Sequence, residues 1–347
     1  MGALSWFITR IKRSLGLEGS GGNEKANKSE SPQADHHPAE KSDEKTEEQE
    51  HEKEDPKSTK PENGAIVFIY DDGPITDYTE AFPAHKEFDA PATTGIVTEW
   101  VGRSDFMDTE ELDELVDAGW EIASHTEKHR PLAAFPLLKD AHPKDTEISA
   151  EGYRQGHHEG STVEISDGDT KVIREVAGLG GAPGERRIAL TEPVGESFDA
   201  EDTEIRHPAE VMHEALGDSK EELEEMGYDV STLLAPYDAY SGYSDLFVPE
   251  YYDGVANARH GSYMNDPDEY DPYETKRDYF IEFTTEAAVK QDLDKIADDA
   301  LLGVVGAHSI KERVNEESIT EMLEWIEERE IEVMTLREAI SVYNSDK

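Results

Sequence analysis

The chain contains no cysteine. That excludes disulfide cross-links, thiolate nucleophiles and any zinc site built on sulfur. Positive charge is scarce. Against 81 Asp plus Glu stand only 33 Lys plus Arg, a formal net charge of −48 over 347 residues. A surface of that sign repels polyanions, so nucleic acid is excluded as a general partner. Apolar residues make up only 35% of the chain, a low share that still leaves enough for one large domain or two modest ones. The glycine-rich stretch GLGGAPGE at 178–185 lacks both the Lys-Ser/Thr of a P-loop and the spacing of a dinucleotide fingerprint, and reads as a flexible turn.

What is present starts with a partly apolar N-terminus. Residues 1–16, MGALSWFITRIKRSLG, place Leu4, Phe7, Ile8, Ile11 and Leu15 at helical spacings with Arg10, Lys12 and Arg13 among them. The pattern fits a short amphipathic helix at a membrane surface and, equally, a frayed terminal helix. It is too short to span a bilayer, and its basic residues lie within the apolar stretch, unlike those of a secretory signal. This favours the cytoplasm, at the inner membrane face if the helix is interfacial, without excluding export. Residues 17–63 are rich in Gly, Ser, Glu, Asp, Lys, His and Pro and nearly devoid of apolar residues, so they read as a disordered acidic linker. The acids continue through the rest of the chain, as they do in proteins of salt-loving archaea. The expectation is a high-salt host, in which the Debye length falls to about 3 Å and self-repulsion is screened.

A folded domain is expected over 64–341. Strands at 66–70, 91–97 and 120–123 alternate with helices at 77–88 and 110–118, the second capped by Thr109. Residues 150–207 break the rhythm with short strands and glycines, including a hairpin turn at 166–169, and read as a β-rich insertion. Alternation returns with a helix at 208–226, a strand at 229–234, segments at 246–252 and 254–258, a polar tyrosine-rich loop at 261–279 and a strand at 280–283. A helix at 285–300, a strand at 301–307, a helix at 318–329 and a strand at 331–334 follow, with Thr335 capping a last helix. This repetition specifies an α/β fold and permits an open sheet or a barrel.

The chemistry lies at strand ends, where α/β folds usually carry it. The run AIVFIY stops abruptly in Asp71, Asp72, Gly73 and Pro74. On their own these are ordinary turn signals. A second polar cluster, SHTEKH at 124–129, follows the third strand. As a pair, YDDGP and SHTEKH resemble the NodB-type polysaccharide deacetylase family, whose first motif is a strand ending in Asp-Asp-Gly and whose second is His-Ser/Thr-x-x-His. The resemblance covers roughly 64–149 and 208–341 and implies a distorted (β/α) barrel of about seven strands. It also implies a divalent metal, most plausibly zinc, held by Asp72, His125 and His129, with Asp71 as the base. Two imidazoles and a carboxylate suit such an ion, which needs about three protein ligands and an open position. His308, after the strand LLGVVGA, matches the family's late histidine, which protonates the leaving amine.

The third motif departs from the family. Arg-x-Pro-Tyr/Phe-Gly stands here as LLAPYDAYSG, with Pro236 and Tyr237 kept, Leu234 in place of the arginine and Asp238 in place of the glycine. The resemblance gives the backbone N–H of Tyr237 to the oxyanion. The missing arginine normally orients the base. Arg259 is the expected substitute because it follows a strand, ahead of Arg277 in the polar loop. The family's fourth-motif Asp and Trp are not recognisable. The implied reaction is hydrolysis of an amide carbon–nitrogen bond, with an N-acetylated amino sugar of a glycan as substrate. The alternatives are another small amide or ureide, or a catalytically silent metal- or glycan-binding domain. A cation on Asp71 discriminates between an enzyme and a silent domain.

Overall fold

The computed structural model describes residues 59–150, 157–181, 187–257, 263–279 and 282–344. The expectations for 1–16 and for most of 17–63 lie outside them.

Strand β1, Ala65–Tyr70, is fully buried and forms the middle of a parallel sheet. The other strands are β2 Thr93–Ile96, β3 Glu121–Ser124, β10 Thr232–Leu234, β11 Gly254–Ala256 and β14 Leu302–Ala307. They run in the order β11-β10-β3-β2-β1-β14, and β12, Met264–Asn265, continues the order antiparallel to β14. On that same edge of β14, β13, Asp278–Tyr279, pairs in parallel with Val305 and Gly306. The short β15, Glu332–Val333, pairs with the start of β1.

Strand alternation explains the curl. Ile66, Phe68 and Tyr70 face outward and join Ile122, Leu233, Val255 and Val305 in the large cluster under the helices. Ala65, Val67 and Ile69 face inward, against Ala123, Leu234, Ala256, Leu302 and Val304 from strands at both ends of the order. The sheet therefore wraps round its inner residues as a distorted (β/α) half-barrel of about seven strands. Among the described residues its hydrogen-bond ladder is not closed. Burial of each large outward side chain of β1 contributes about 1.5–3 kcal/mol.

Five helices cover the outer face: α1 Phe82–Glu87, α2 Thr109–Asp117, α3 Ala209–Glu225, α4 Glu286–Asp299 and α5 Glu316–Glu327. The sixth, α6 Leu336–Asn344, instead packs with the inward residues through Leu336, Ala339 and Ile340. A π-helical turn, Asp77–Ala81, leads into α1. Asp108, and not Thr109, caps α2: its carboxylate accepts from Glu110 N, while Glu111 accepts from Asp108 N at 2.8 Å. The segment at 246–252 forms 3₁₀ turns. Of the strand expected at 280–283, residues 280 and 281 lie outside the described residues and Glu282 and Phe283 form a turn; just before it, Asp278–Tyr279 pairs with the end of β14.

A second, antiparallel sheet has the order β4-β9-β6-β7-β8-β5. Its strands are β4 Phe135–Pro136, β5 Glu147–Ile148, β6 Thr162–Ser166, β7 Lys171–Gly180, β8 Arg187–Leu190 and β9 Glu204–Arg206. Two of these precede residue 150. Gly178 and Gly180, expected in a flexible turn, are paired in β7. Val163, Ile165, Val176, Ile188 and Ile205 form the separate core of this sheet, and Tyr237 and Ala239 pack against it. The turn after the barrel strand β10 therefore touches both sheets.

Candidate active site

The inward alternation of the barrel strands continues past their C-terminal ends. After Val67 and Ile69 comes Asp71; after Ala123 comes His125; after Val304 and Gly306 comes His308. Backbone strain concentrates at the same place. Asp72, Thr126, His129, Tyr237 and Asp238 all have left-handed φ, between 53° and 79°. Such residues cost of order 1–3 kcal/mol each, less for Asp, and persist where the surroundings overdetermine them. Within the histidine turn, Thr126 N donates to Ser124 Oγ at 3.2 Å and Arg130 N to Thr126 Oγ1 at 2.9 Å. That knitting brings His129 back beside His125.

Asp72, His125 and His129 converge, with one potential ligand atom from each lying within 4.8 Å of the others. His125 Nδ1 donates to Leu234 O at 2.8 Å, which leaves the Nε2 lone pair facing the cluster. His129 Nε2 lies 3.0 Å from His125 Nε2 and 3.1 Å from Asp72 Oδ1. A single N–H between the imidazoles satisfies only their own contact, and among the described residues Asp72 Oδ1 has no hydrogen-bond partner. The set is short of positive charge, and its donors fit a divalent cation. Burial opposes ionisation of Asp72, but the two imidazoles outweigh it and hold the carboxyl well below its usual range. Burial lowers His129 and favours the neutral imidazole that a metal needs.

Asp71 is buried and clamped. Arg277 donates to both of its oxygens, Nη1 to Oδ1 and Nη2 to Oδ2, each at 2.8 Å. Burial alone would raise the Asp71 pKa; the guanidinium and then His308 overcome it, and the carboxyl stays below its usual value. Arg277 reaches this position from the residue before β13. Its guanidinium lies against Gly306 in β14, where a Cβ would come within 3.0 Å of Cζ. Arg277 Nη2 also donates to Asp238 Oδ1 at 3.0 Å and to Tyr279 OH at 2.9 Å.

His308 lies 3.7 Å through Nε2 from Asp71 Oδ2. Its Nδ1 is 2.8 Å from Glu282 Oε1, which also accepts from the His308 backbone N–H. Burial would lower this imidazole, but the bond to Glu282 and the charge of Asp71 raise it to about 9. Beneath it, Ser309 donates to Asp77 Oδ1 at 2.5 Å, and Thr94 donates to Asp77 Oδ2 at 3.0 Å. Tyr237 is half-buried in the turn after β10, with its ring 4.3 Å from that of His129.

Asp71, Asp72, His125, His129, Tyr237 and His308 thus lie at one end of the barrel. Arg259, the expected substitute, lies outside the described residues, and the guanidinium on Asp71 belongs to Arg277. Glu282, Asp238, Tyr279 and Asp77 were not anticipated as members of the site. The clue to Arg277 was the placement of a small residue, Gly306, on the inward face two positions before His308.

The family model for polysaccharide deacetylase matches residues 58–157. YxkH of Bacillus subtilis (strain 168), whose name assigns it to the polysaccharide deacetylases, is 29% identical over 73 residues, 21% of this chain and only 26% of that protein. Among solved structures, a family 4 acetyl xylan esterase from Clostridium thermocellum in complex with a cobalt ion is 12% identical, with a TM-score of 0.41 over 80% of this chain and 91% of its own. The peptidoglycan deacetylase PdaC from Bacillus subtilis is 13% identical, with a TM-score of 0.41 over 84% and 95%. Likenesses at that level are distant, and the weight rests on the stretch that carries the two motifs. The stretch similar to the polysaccharide deacetylase family is thus residues 58–157, with Asp71, Asp72, His125 and His129 among them.

Proposed function

We propose that the protein is a metal-dependent amidohydrolase that removes the acetyl group from an N-acetylated amino sugar of a glycan. The observation that carries this reading is a division of labour between adjacent carboxylates. Asp72 faces two imidazoles and has an unpartnered oxygen, while Asp71, one residue earlier, is held by a guanidinium and faces a third imidazole.

Asp72, His125 and His129 would hold the ion, zinc being the best match to two imidazoles and one carboxylate. When bound there, a divalent ion would supply Lewis acidity to the acyl oxygen and to water. Asp71 accepts the proton of the attacking water, and Arg277 keeps it ionised and aimed. The N–H of Tyr237 donates to the oxygen that gains charge. His308, held protonated by Glu282, gives its proton to the departing nitrogen. The C–N bond breaks, acetate leaves with the water oxygen, and a free amine remains on the sugar.

The guanidinium on Asp71 supports an enzyme over a silent binding domain, although it comes from Arg277 rather than Arg259. Hydrolysis of another small amide or ureide is the second reading, favoured by the departures at Leu234 and Asp238 and by the added antiparallel sheet. No described helix is long and apolar enough to cross a membrane. Peripheral contact through 1–16 is tested by fractionating cells that express the protein with and without those residues.

The decisive assay measures acetate release from acetylated chitin oligomers and peptidoglycan fragments, with zinc supplied. It is run in molar KCl, since the net charge of −48 makes low salt a denaturing risk. The expected result is release by the wild type and almost none by Asp71→Asn. No release from any acetylated sugar, together with turnover of another amide, overturns the deacetylase reading in favour of the second.

A further inference from the structure

The proposed chemistry leaves Tyr279 unused, yet this residue touches both halves of the site. Its hydroxyl accepts from Arg277 Nη2 at 2.9 Å and donates to Asp238 Oδ2 at 3.1 Å. Its ring lies nearly parallel to the His308 imidazole, with centroids 5.2 Å apart and an interplanar angle of 16°. The guanidinium carbon of Arg277 lies 4.9 Å from the same ring. The pairing of β13 with β14 fixes this position, setting Tyr279 beside Gly306, two residues before His308.

We propose that Tyr279 is a positioning residue that couples the proton-accepting half of the site, Asp71 and Arg277, to the proton-donating half, His308 and Glu282. The inference rests on the deacetylase-type reading of the same site. Two physical effects act through one side chain. The hydroxyl, with Asp238, holds the guanidinium independently of Asp71, so the clamp is set before the base is engaged. The π face holds the imidazole in the orientation that turns Nε2 toward Asp71, and it favours the imidazolium over the neutral ring. Charged groups that act on His308 include Glu282 at Nδ1, Asp71 at Nε2 and, further off, Asp72. None of them fixes the plane of the ring as a stacked aromatic does. Asp238, which replaces a glycine of the family's motif, is the anchor of the hydroxyl half.

Two substitutions separate the effects. Tyr279→Phe keeps the ring and removes the hydroxyl; Tyr279→Leu removes both. In the full-length protein loaded with zinc, both variants are expected to keep the wild-type metal content. For Tyr279→Phe, kcat should fall about tenfold, the equivalent of one lost hydrogen bond in the transition state, with KM little changed and the basic limb of the pH profile in place. For Tyr279→Leu, kcat should fall further and the basic limb should move to lower pH. NMR titration of the His308 ring needs no substrate and should show the same order: Phe like wild type, Leu lower. Asp238→Asn combined with Tyr279→Phe should lose no more than the worse single variant, because both remove one shared network. A Phe variant as fast as wild type, a His308 titration unmoved in the Leu variant, or full additivity with Asp238→Asn would each overturn the coupling. If no substrate is turned over by the wild type, the functional reading fails while the NMR titration still decides the inference.

Discussion

Two pairs of buried imidazoles stand in this protein at almost the same separation, with ring centroids 4.7 Å apart for His125 and His129 and 4.8 Å for His157 and His207. Their surroundings differ. The first pair faces the Asp72 carboxylate, and His125 is turned by its bond to the carbonyl of Leu234. The second pair has Phe135 at its edge and one bond, from His207 Nδ1 to Thr162 O at 3.1 Å. Among the described residues, the remaining ring nitrogens of His157 and His207 have no hydrogen-bond partner. The nearby charges, Arg130 and His158, are of the wrong sign to help. Among the described residues, only Asp72, His125 and His129 form a cluster of three that could hold a metal ion. Close imidazoles do not by themselves make such a site. A converging carboxylate is also needed; a tautomer fixed by a backbone carbonyl is common to His125 and His207, and burial lowers His129 as it lowers His157 and His207.

Metal content gives the largest expected effect and the sharpest test of that contrast. His125→Ala with His129→Ala should reduce bound metal from about one ion per chain to none, since only one carboxylate ligand is left. His157→Leu with His207→Leu should leave it unchanged. Elemental analysis of the purified proteins after zinc loading decides the matter. Loss of metal from the second double variant would erase the distinction between the pairs.

Next in size is the division of work beside the first pair. Asp71→Asn should keep the metal and lower kcat by roughly 10²–10⁴, the usual worth of a positioned acid–base group. Asp72→Asn should instead lose most of the metal, because it removes the only anionic ligand. Arg277→Leu leaves Asp71 buried without its cation, which costs about 3–5 kcal/mol in stability besides the loss of rate. A urea melt of that variant identical to the wild type would show that Asp71 draws no support from the clamp. Since Glu282 and Asp71 raise His308 to about 9, activity should persist to alkaline pH and fall as pH passes that value. His308→Ala should remove this limb and keep the metal.

Legibility in sequence followed the length and regularity of each element. β1 is six apolar residues ending in two acids, and β14 is six ending at a histidine, so both strand ends could be found by pattern. The histidines of the first pair were visible because a four-residue spacing after a short strand is a local signal. Arg277 was not, because its neighbouring strand has two residues and its partner Asp71 lies 206 positions away. Glu282 was one acid among 81, and nothing local marks it as the partner of His308. Asp238 could be read as a departure from a motif but not as an anchor, since that role exists only once β13 lies against β14. The second sheet shows the same limit. Its strands could be seen as short β segments, while the pairing of β5 with β8 and of β4 with β9 joins stretches on either side of residues 150–186.

The smallest effect is expected from the second pair, and it has a definite sign. Burial pushes His157 down to about 3, with His207 and His158 adding repulsion; burial pushes His207 down to about 4, partly opposed by its bond to Thr162 O. In the unfolded chain both titrate near 6.5. The unfolded state therefore binds more protons below that value, so stability is complete above about pH 6.5 and is lost as pH falls toward the folded values. At pH 5 each imidazole should cost the native state about 2 kcal/mol relative to neutral pH. Metal binding at the proposed site of Asp72, His125 and His129 also weakens in acid, so the wild-type curve alone mixes two processes. Comparing the wild type with the His157→Leu and His207→Leu double variant separates them, because the proposed metal site is common to both. Urea melts at pH 7.5 and pH 5 in molar KCl should show the wild type losing more stability than the variant across that interval. Equal losses would mean that the second pair finds a proton acceptor or an ion in solution, and the contrast between the two pairs would then be one of degree only.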